Sequence, residues 1–409
     1  MKSWEWFTNH TSPETLEQLK SVDSYGYDLK IMGVTGTVGK TTVAELTTQY
    51  LNFLGKRTFY IGTSGINCAV ANYWHYNFPS TSPTSQQMLA TFIHGAYFYG
   101  CEYLVIEVTA ETISTGIYEN LDFDCLAYTN LKRNIVRSFK DDNIYFGYKL
   151  SILKTNNIGY ILSSNRNKDF INITAKIGIK PTLFDFNFKI DESGKLIAQL
   201  DGNTFNTNLL SSINAENVAL FYYIIKYMGV LDTTALSQYL SQITIPGRLE
   251  HFEIAGRKFM IDTGYGGVDG LRPYFEETKF DRVISVMSSY FFNNDNDTCD
   301  NLIKKRKERA ELVAKYSDIM YITATHRRTG NLVEDREQCV IDQLQLGAPN
   351  AIQIYNRVQA IETACLASKP GDTIIIIGMG SETWGLIEGS NNYIGDFEII
   401  KMVMENLYN

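Results

Sequence analysis

From Leu29 onward, short continuous apolar runs alternate with stretches whose apolar positions recur every three or four residues. The runs at Lys30–Val34, Thr58–Gly62, Tyr103–Val108, Cys125–Thr129 and Gly159–Leu162 read as strands, and Thr41–Leu54, Ser85–Tyr99 and Tyr145–Lys154 as the helices between them. Runs that are apolar throughout belong to strands covered on both faces, so the pattern predicts a mostly parallel sheet with helices on either side. Between about 182 and 210 the text changes. FDFNFKID, ESGK and LIAQLDGNTFNTNLL alternate apolar with polar, which predicts antiparallel hairpins appended to that sheet, followed by a helix at Ala215–Met228.

The break IPGRLE at Ile245–Glu250 opens a second α/β series. Its strands are Lys258–Asp262, Arg282–Met287, Ile319–Thr323, Ile352–Tyr355 and Thr373–Ile377, and its helices Asp300–Tyr316, Arg336–Gln345 and Arg357–Ala367. Two domains are therefore expected, 1–245 and 246–409. Ahead of the first strand stands only a short amphipathic helix candidate, Pro13–Lys20, and Asn293–Asp300 reads as an exposed loop.

Composition narrows the classes. With 44% hydrophobic and 20% charged residues, the chain has enough apolar material for real cores. The formal net charge of -8 leaves no electrostatic footprint for nucleic acid. The densest basic stretch, Lys304–Arg309, reads as a solvated helix face. The six cysteines (68, 101, 125, 299, 339 and 365) are scattered without a C-x-x-C, so they read as reduced core residues and not as zinc ligands. No secretory leader opens the chain and no apolar run approaches membrane-spanning length, so a cytoplasmic protein with no membrane partner is expected.

The chemistry concentrates in IMGVTGTVGKTTV at Ile31–Val43. An apolar strand runs into Gly36, Thr37 and Gly39, then Lys40, Thr41 and Thr42, then a helical pattern. Such a turn aims backbone N–H groups and a helix N-terminus at a phosphate. Lys40 neutralises the outer phosphates and the Thr41 hydroxyl is placed for Mg²⁺. The alternative is a glycine-rich turn that binds nothing. The glycine spacing departs from the usual phosphate loop, because Val34 stands where its first glycine falls.

The variant GVTGTVGKTT resembles the loop of the Mur ligases, the ATP-dependent amide-bond synthetases of peptidoglycan assembly, and within them the enzymes that add the third residue to UDP-N-acetylmuramoyl-dipeptide. The resemblance continues in order through TSP (Thr81–Pro83), IEVTAE (Ile106–Glu111), YTNLKRN (Tyr128–Asn134), YKLSIL from Tyr148, NAEN (Asn214–Asn217), PGRLE (Pro246–Glu250), IDTGYGGVDGL (Ile261–Leu271) and IIGMGSETW (Ile376–Trp384). It implies a P-loop NTPase-like α/β domain followed by a Rossmann-like α/β domain that binds the amine, with ATP and Mg²⁺ as cofactors. By resemblance Glu107 and Ser82 join Thr41 on the metal, and Lys149 is the family's carbamylated lysine, a carboxylate-like metal ligand, although from sequence alone Lys149 is a helix-surface residue. Asn214 and Asn217 contact adenine, Arg248 reaches the γ-phosphate on domain closure and Asp262 binds ribose. Asn214 reads equally as a helix N-cap.

The chain also departs from the family. Val38 replaces an asparagine, Glu111 a histidine, and Ile135 a histidine expected at a second Mg²⁺. In the amine pocket, Thr325-His326-Arg327-Arg328 keeps only Arg328, suited to an α-carboxylate, and Gly378-Met379-Gly380-Ser381-Glu382 keeps Glu382, suited to an amine. The phosphate-loop strand begins at residue 30, so the N-terminal domain that grips the UDP-sugar in peptidoglycan members is expected to be missing, unless a partner protein supplies it.

The expected function is an ATP-dependent ligase that activates a small-molecule carboxylate as an acyl phosphate and transfers it to an amino acid or amine. The alternatives are a degenerate nucleotide-binding scaffold, a folylpolyglutamate synthetase-like ligase, and a plain P-loop ATPase, which leaves Arg248 and Asp262 unexplained.

Overall fold

The computed structural model describes residues 29–68, 83–132, 142–264, 266–289, 300–325, 333–381 and 394–408. The chain divides into two compact units, one built from the residues up to 189 with 197–207 and 214–243, the other from 190–196, 208–213 and 244–409.

In the first unit the strands are β1 (Lys30–Thr35), β2 (Thr58–Gly62), β3 (Gly65–Cys68), β4 (Tyr103–Glu107), β5 (Phe123–Tyr128), β6 (Ile158–Ser164) and β7 (Thr182–Phe184). They form one sheet in the order β3-β2-β4-β1-β5-β6-β7, parallel except for β3. The continuous apolar reading holds: β2 and β4 are buried at every position and β1 at all but its first. β7 corrects the pattern reading. Thr182–Phe184 is not part of the hairpins but the last parallel strand of the main sheet, paired with β6. The alternating text after it forms a separate three-stranded sheet of β8 (Asn187–Ile190), β9 (Lys195–Leu200) and β10 (Asn203–Leu210).

Helix α1 (Lys40–Phe53) leaves β1 almost wholly buried. Its two interior threonines avoid a burial penalty because Thr47 and Thr48 donate to the carbonyls of Val43 and Ala44, 2.8 Å each. Its outer face packs on helix Ala215–Tyr227, where Tyr50 meets Phe221 edge-on at 5.6 Å.

The second unit is a six-stranded sheet, β11 (Glu250–Ile254), β12 (Arg257–Asp262), β13 (Val283–Met287), β14 (Ile319–Ile322), β15 (Ile352–Gln353) and β16 (Thr373–Ile377), in the order β11-β12-β16-β13-β14-β15 and antiparallel only at β11. Ile374 to Ile377 of β16 are fully buried between β12 and β13. Each contributes roughly 1.5–3 kcal/mol by leaving water. The solvated-face reading of Lys304–Arg309 needs correction within helix Asp300–Tyr316. Arg306 is 1% exposed and donates to Gln343 at 2.6 Å. The described cysteines are free, and Cys68, Cys101, Cys125 and Cys365 are buried. Among the described residues no helix is long and apolar enough to cross a membrane.

Candidate functional site

The register of the first sheet assembles the site. Val34 pairs with Glu107 on one side of β1, and Thr35 with Tyr128 on the other. The turn 36–39 therefore leaves β1 with the end of β4 on one flank and Thr129–Asn130 on the other. Thr129 and Asn130 clamp the loop: both donate to the Val38 carbonyl, at 2.6 and 3.0 Å, and the Asn130 carbonyl accepts from the Thr37 N–H at 2.9 Å. The Thr37 hydroxyl is engaged by the Lys132 N–H at 2.9 Å.

Gly39 has a φ of 89°, in the left-handed region, and a Cβ there would fall 2.3 Å from Asn217 Oδ1. The helix that follows has no side-chain N-cap and no acidic residue in its first turn, so its positive dipole end is not offset by a carboxylate of that turn and favours an anion. Lys40 Nζ donates to the carbonyls of Gly36 and Thr37, 3.2 Å each, which holds its charge over the loop. Thr42 is buried in the first turn.

Glu107 is fully buried and accepts from neutral donors. Its Oε1 takes the Tyr60 hydroxyl at 2.7 Å and the Thr63 N–H at 2.8 Å, while Oε2 takes the Thr41 and Thr63 hydroxyls at 3.1 Å each. Gly62 makes this approach possible, since a Cβ there would lie 2.4 Å from Oε1. The set of one carboxylate and two hydroxyls is hard-oxygen chemistry and fits Mg²⁺. Among the described residues no cluster of three His, Cys, Asp or Glu exists.

Lys149 is not on the helix surface. It is 1% exposed, and its Nζ donates to Thr35 Oγ1 at 3.1 Å. Burial, with Lys40 nearby, holds its amine well below the usual lysine range, and Glu111 partly offsets this. Asn214 occupies the N-cap position without capping. Its Oδ1 instead accepts from Asn217 Nδ2 at 3.3 Å.

In the second unit the carboxyl ends of the strands gather another cluster. The Asp262 carboxylate accepts from the N–H groups of Leu249 (3.1 Å) and Gly264 (2.6 Å). Burial pushes it above the usual carboxylate range, against the pull of Arg248 and Arg309. Arg248 donates to the Thr263 hydroxyl. Beside them Arg357 and Asp396, both fully buried, pair through two 2.8 Å bonds, and Asp396 also accepts the Gly380 N–H.

The structure thus brings Gly36, Thr37, Gly39, Lys40, Thr41, Glu107 and Asn217 together and sets Lys149 beneath Thr35, while Arg248 and Asp262 meet in the second unit. Ser82, Ile135, Arg328 and Glu382 lie outside the described residues. Sequence reasoning missed Tyr60, Thr63, Arg309 and the Arg357–Asp396 pair, and it did not give Asn130 its role as clamp. A threonine just past a strand end beside the phosphate-loop strand was the available signal for Thr63.

These features define a P-loop α/β protein with a second open-sheet unit. Residues 34–225 match the Mur ligase middle domain. It is 25% identical over 398 residues to a UDP-N-acetylmuramoyl-L-alanyl-D-glutamate–2,6-diaminopimelate ligase of Clostridium perfringens, covering 92% of this chain and 78% of that protein. Among solved structures it shares its fold with the MurF ligase of Thermotoga maritima in complex with ADP, with a TM-score of 0.62, 15% identity, and 96% and 83% of the two chains covered. It likewise resembles the folylpolyglutamate synthase of Mycobacterium tuberculosis complexed with ADP and AMPPCP, with a TM-score of 0.59, 17% identity, and 91% and 92% covered. The α/β fold class read from the sequence holds.

Proposed function

We propose that this protein is an ATP-dependent ligase that joins a small-molecule carboxylate to an amino acid or amine. The observation that carries the reading is the buried Glu107 bonded to Thr41 in the first turn of the helix that follows a lysine-bearing glycine loop. ATP supplies the phosphoryl group that activates the carboxylate, and Mg²⁺ offsets its charge. The loop N–H groups and Lys40 orient and neutralise the phosphates. Thr41, Glu107 and Ser82 hold the cation, and Asn214 and Asn217 face the base. Lys149 is suited to carbamylation, because an amine depressed by burial spends more time in the neutral form that adds CO₂. In the second unit Arg248 and Asp262 serve the nucleotide, and Arg328 and Glu382 the amine.

The test is an ADP-release screen that crosses carboxylates with amino acids, with Lys40→Ala as the blank. Amine-dependent release in the parent, absent from the blank, is the expected result. Release that ignores the amine in every pair would favour a nucleotide-binding scaffold. A folylpolyglutamate synthetase-like ligase is the second reading, favoured by the match over 92% of that enzyme's length. A folate with glutamate is the pair in the screen that decides it.

A further inference from the structure

Building on the nucleotide site just described, we propose that Thr63 is a direct ligand of the divalent cation, so that Thr41, Thr63 and Glu107 present three oxygens as one face of an octahedron. The three atoms Thr41 Oγ1, Thr63 Oγ1 and Glu107 Oε2 form a nearly equilateral triangle. Its edges are 3.2 Å between the hydroxyls and 3.1 Å from each hydroxyl to the carboxylate oxygen. Oxygens cis to each other on Mg²⁺ at its usual bond length stand about 2.9 Å apart. A contraction of a few tenths of an ångström therefore turns the triangle into a coordination face.

The carboxylate is already aimed for this. Tyr60 and the Thr63 N–H hold Oε1 at 2.7 and 2.8 Å, which fixes the plane of the group and turns Oε2 toward the hydroxyls. Glu107 then acts through one oxygen. Each hydroxyl can keep its proton directed at Oε2 while its own lone pairs stay available to a cation. Thr63 is partly exposed where Glu107 and Thr41 are buried, so the face opens at the Thr63 corner. Thr63 comes from the turn between β2 and β3, outside the glycine loop, and its backbone and side chain both serve the same carboxylate. Mg²⁺ keeps positions for phosphate and water, and this three-oxygen face together with Ser82 leaves two of the usual six.

Mn²⁺ with ADP is the probe. Electron paramagnetic resonance measures Mn²⁺ affinity, and line broadening in ¹⁷O-enriched water counts the waters on the bound ion, a readout independent of turnover. Thr63→Val is expected to weaken Mn²⁺ binding at least about 10-fold and to add one coordinated water. Thr63→Ser is expected to keep the parental count. Thr63→Ala replaces the valine variant if its melting curve shows that it does not fold. A hydroxyl-free variant with the parental water count reduces Thr63 to a positioning role and overturns the assignment alone. A parent that binds no Mn²⁺ with ADP overturns the nucleotide-site reading, and this assignment with it.

Discussion

Two fully buried carboxylates, one in each unit, are answered in opposite ways. Asp396 faces the Arg357 guanidinium through two 2.8 Å bonds and takes a third from the Gly380 N–H, so its charge is neutralised within the fold. Glu107 faces two threonine hydroxyls, a tyrosine hydroxyl and a backbone N–H. Those four groups are neutral donors, in contrast to the guanidinium on Asp396. The first arrangement pins a loop to a helix. The second sets a carboxylate and two hydroxyls beside a loop built for anions, a hard-oxygen set that suits a divalent cation bridging to phosphate.

The largest test of that contrast is Arg357→Met. It leaves Asp396 as a buried charge without its cation and is expected to cost about 3–5 kcal/mol in denaturant unfolding. Adding Asp396→Asn should recover part of the loss, because the pair is coupled. Glu107→Gln comes next. It exchanges one set of neutral-donor bonds for poorer ones, with an expected cost of about 1–3 kcal/mol, and it abolishes Mn²⁺ binding with ADP. A Glu107→Gln loss as large as that of Arg357→Met, with metal binding retained, would break the comparison and make Glu107 a structural acid.

The smallest effect is a slope. Lys149 is held well below its ordinary value of 10.5 in the folded chain. Between the depressed value and 10.5 the unfolded chain therefore binds more protons than the folded one, and stability rises with pH across that window. Lys149→Met should flatten the slope in CO₂-free buffer and gain most stability at the acid end of the window. A melting temperature that tracks pH equally in both proteins would show that the buried amine is not depressed.

Much of the site was legible because it is local. A strand, a glycine turn and a helix N-terminus are contiguous in sequence, and Lys40 and Thr41 need only that turn to reach their places. Glu107 was legible as a strand-end acid, because strand ends point where parallel sheets put their chemistry. Spacing alone left Lys149 open to a helix-surface reading, because helical spacing shows which residues share a face and not what covers that face. β7 was misread because a three-residue strand takes its partner from the sheet edge and not from its own alternation.

The sequence by itself determined the two α/β series, the phosphate loop and the identity of its lysine and hydroxyl, since these follow from periodicity and short-range backbone geometry. Tertiary structure alone decided that Thr63 and Tyr60 meet a carboxylate more than forty residues further on, that Asn130 clamps Val38, and that Arg357 neutralises Asp396. Those contacts arise from strand register and helix packing. Hydrogen bonds and ion pairs act over a few ångströms, and the linear order of residues does not set which groups come that close.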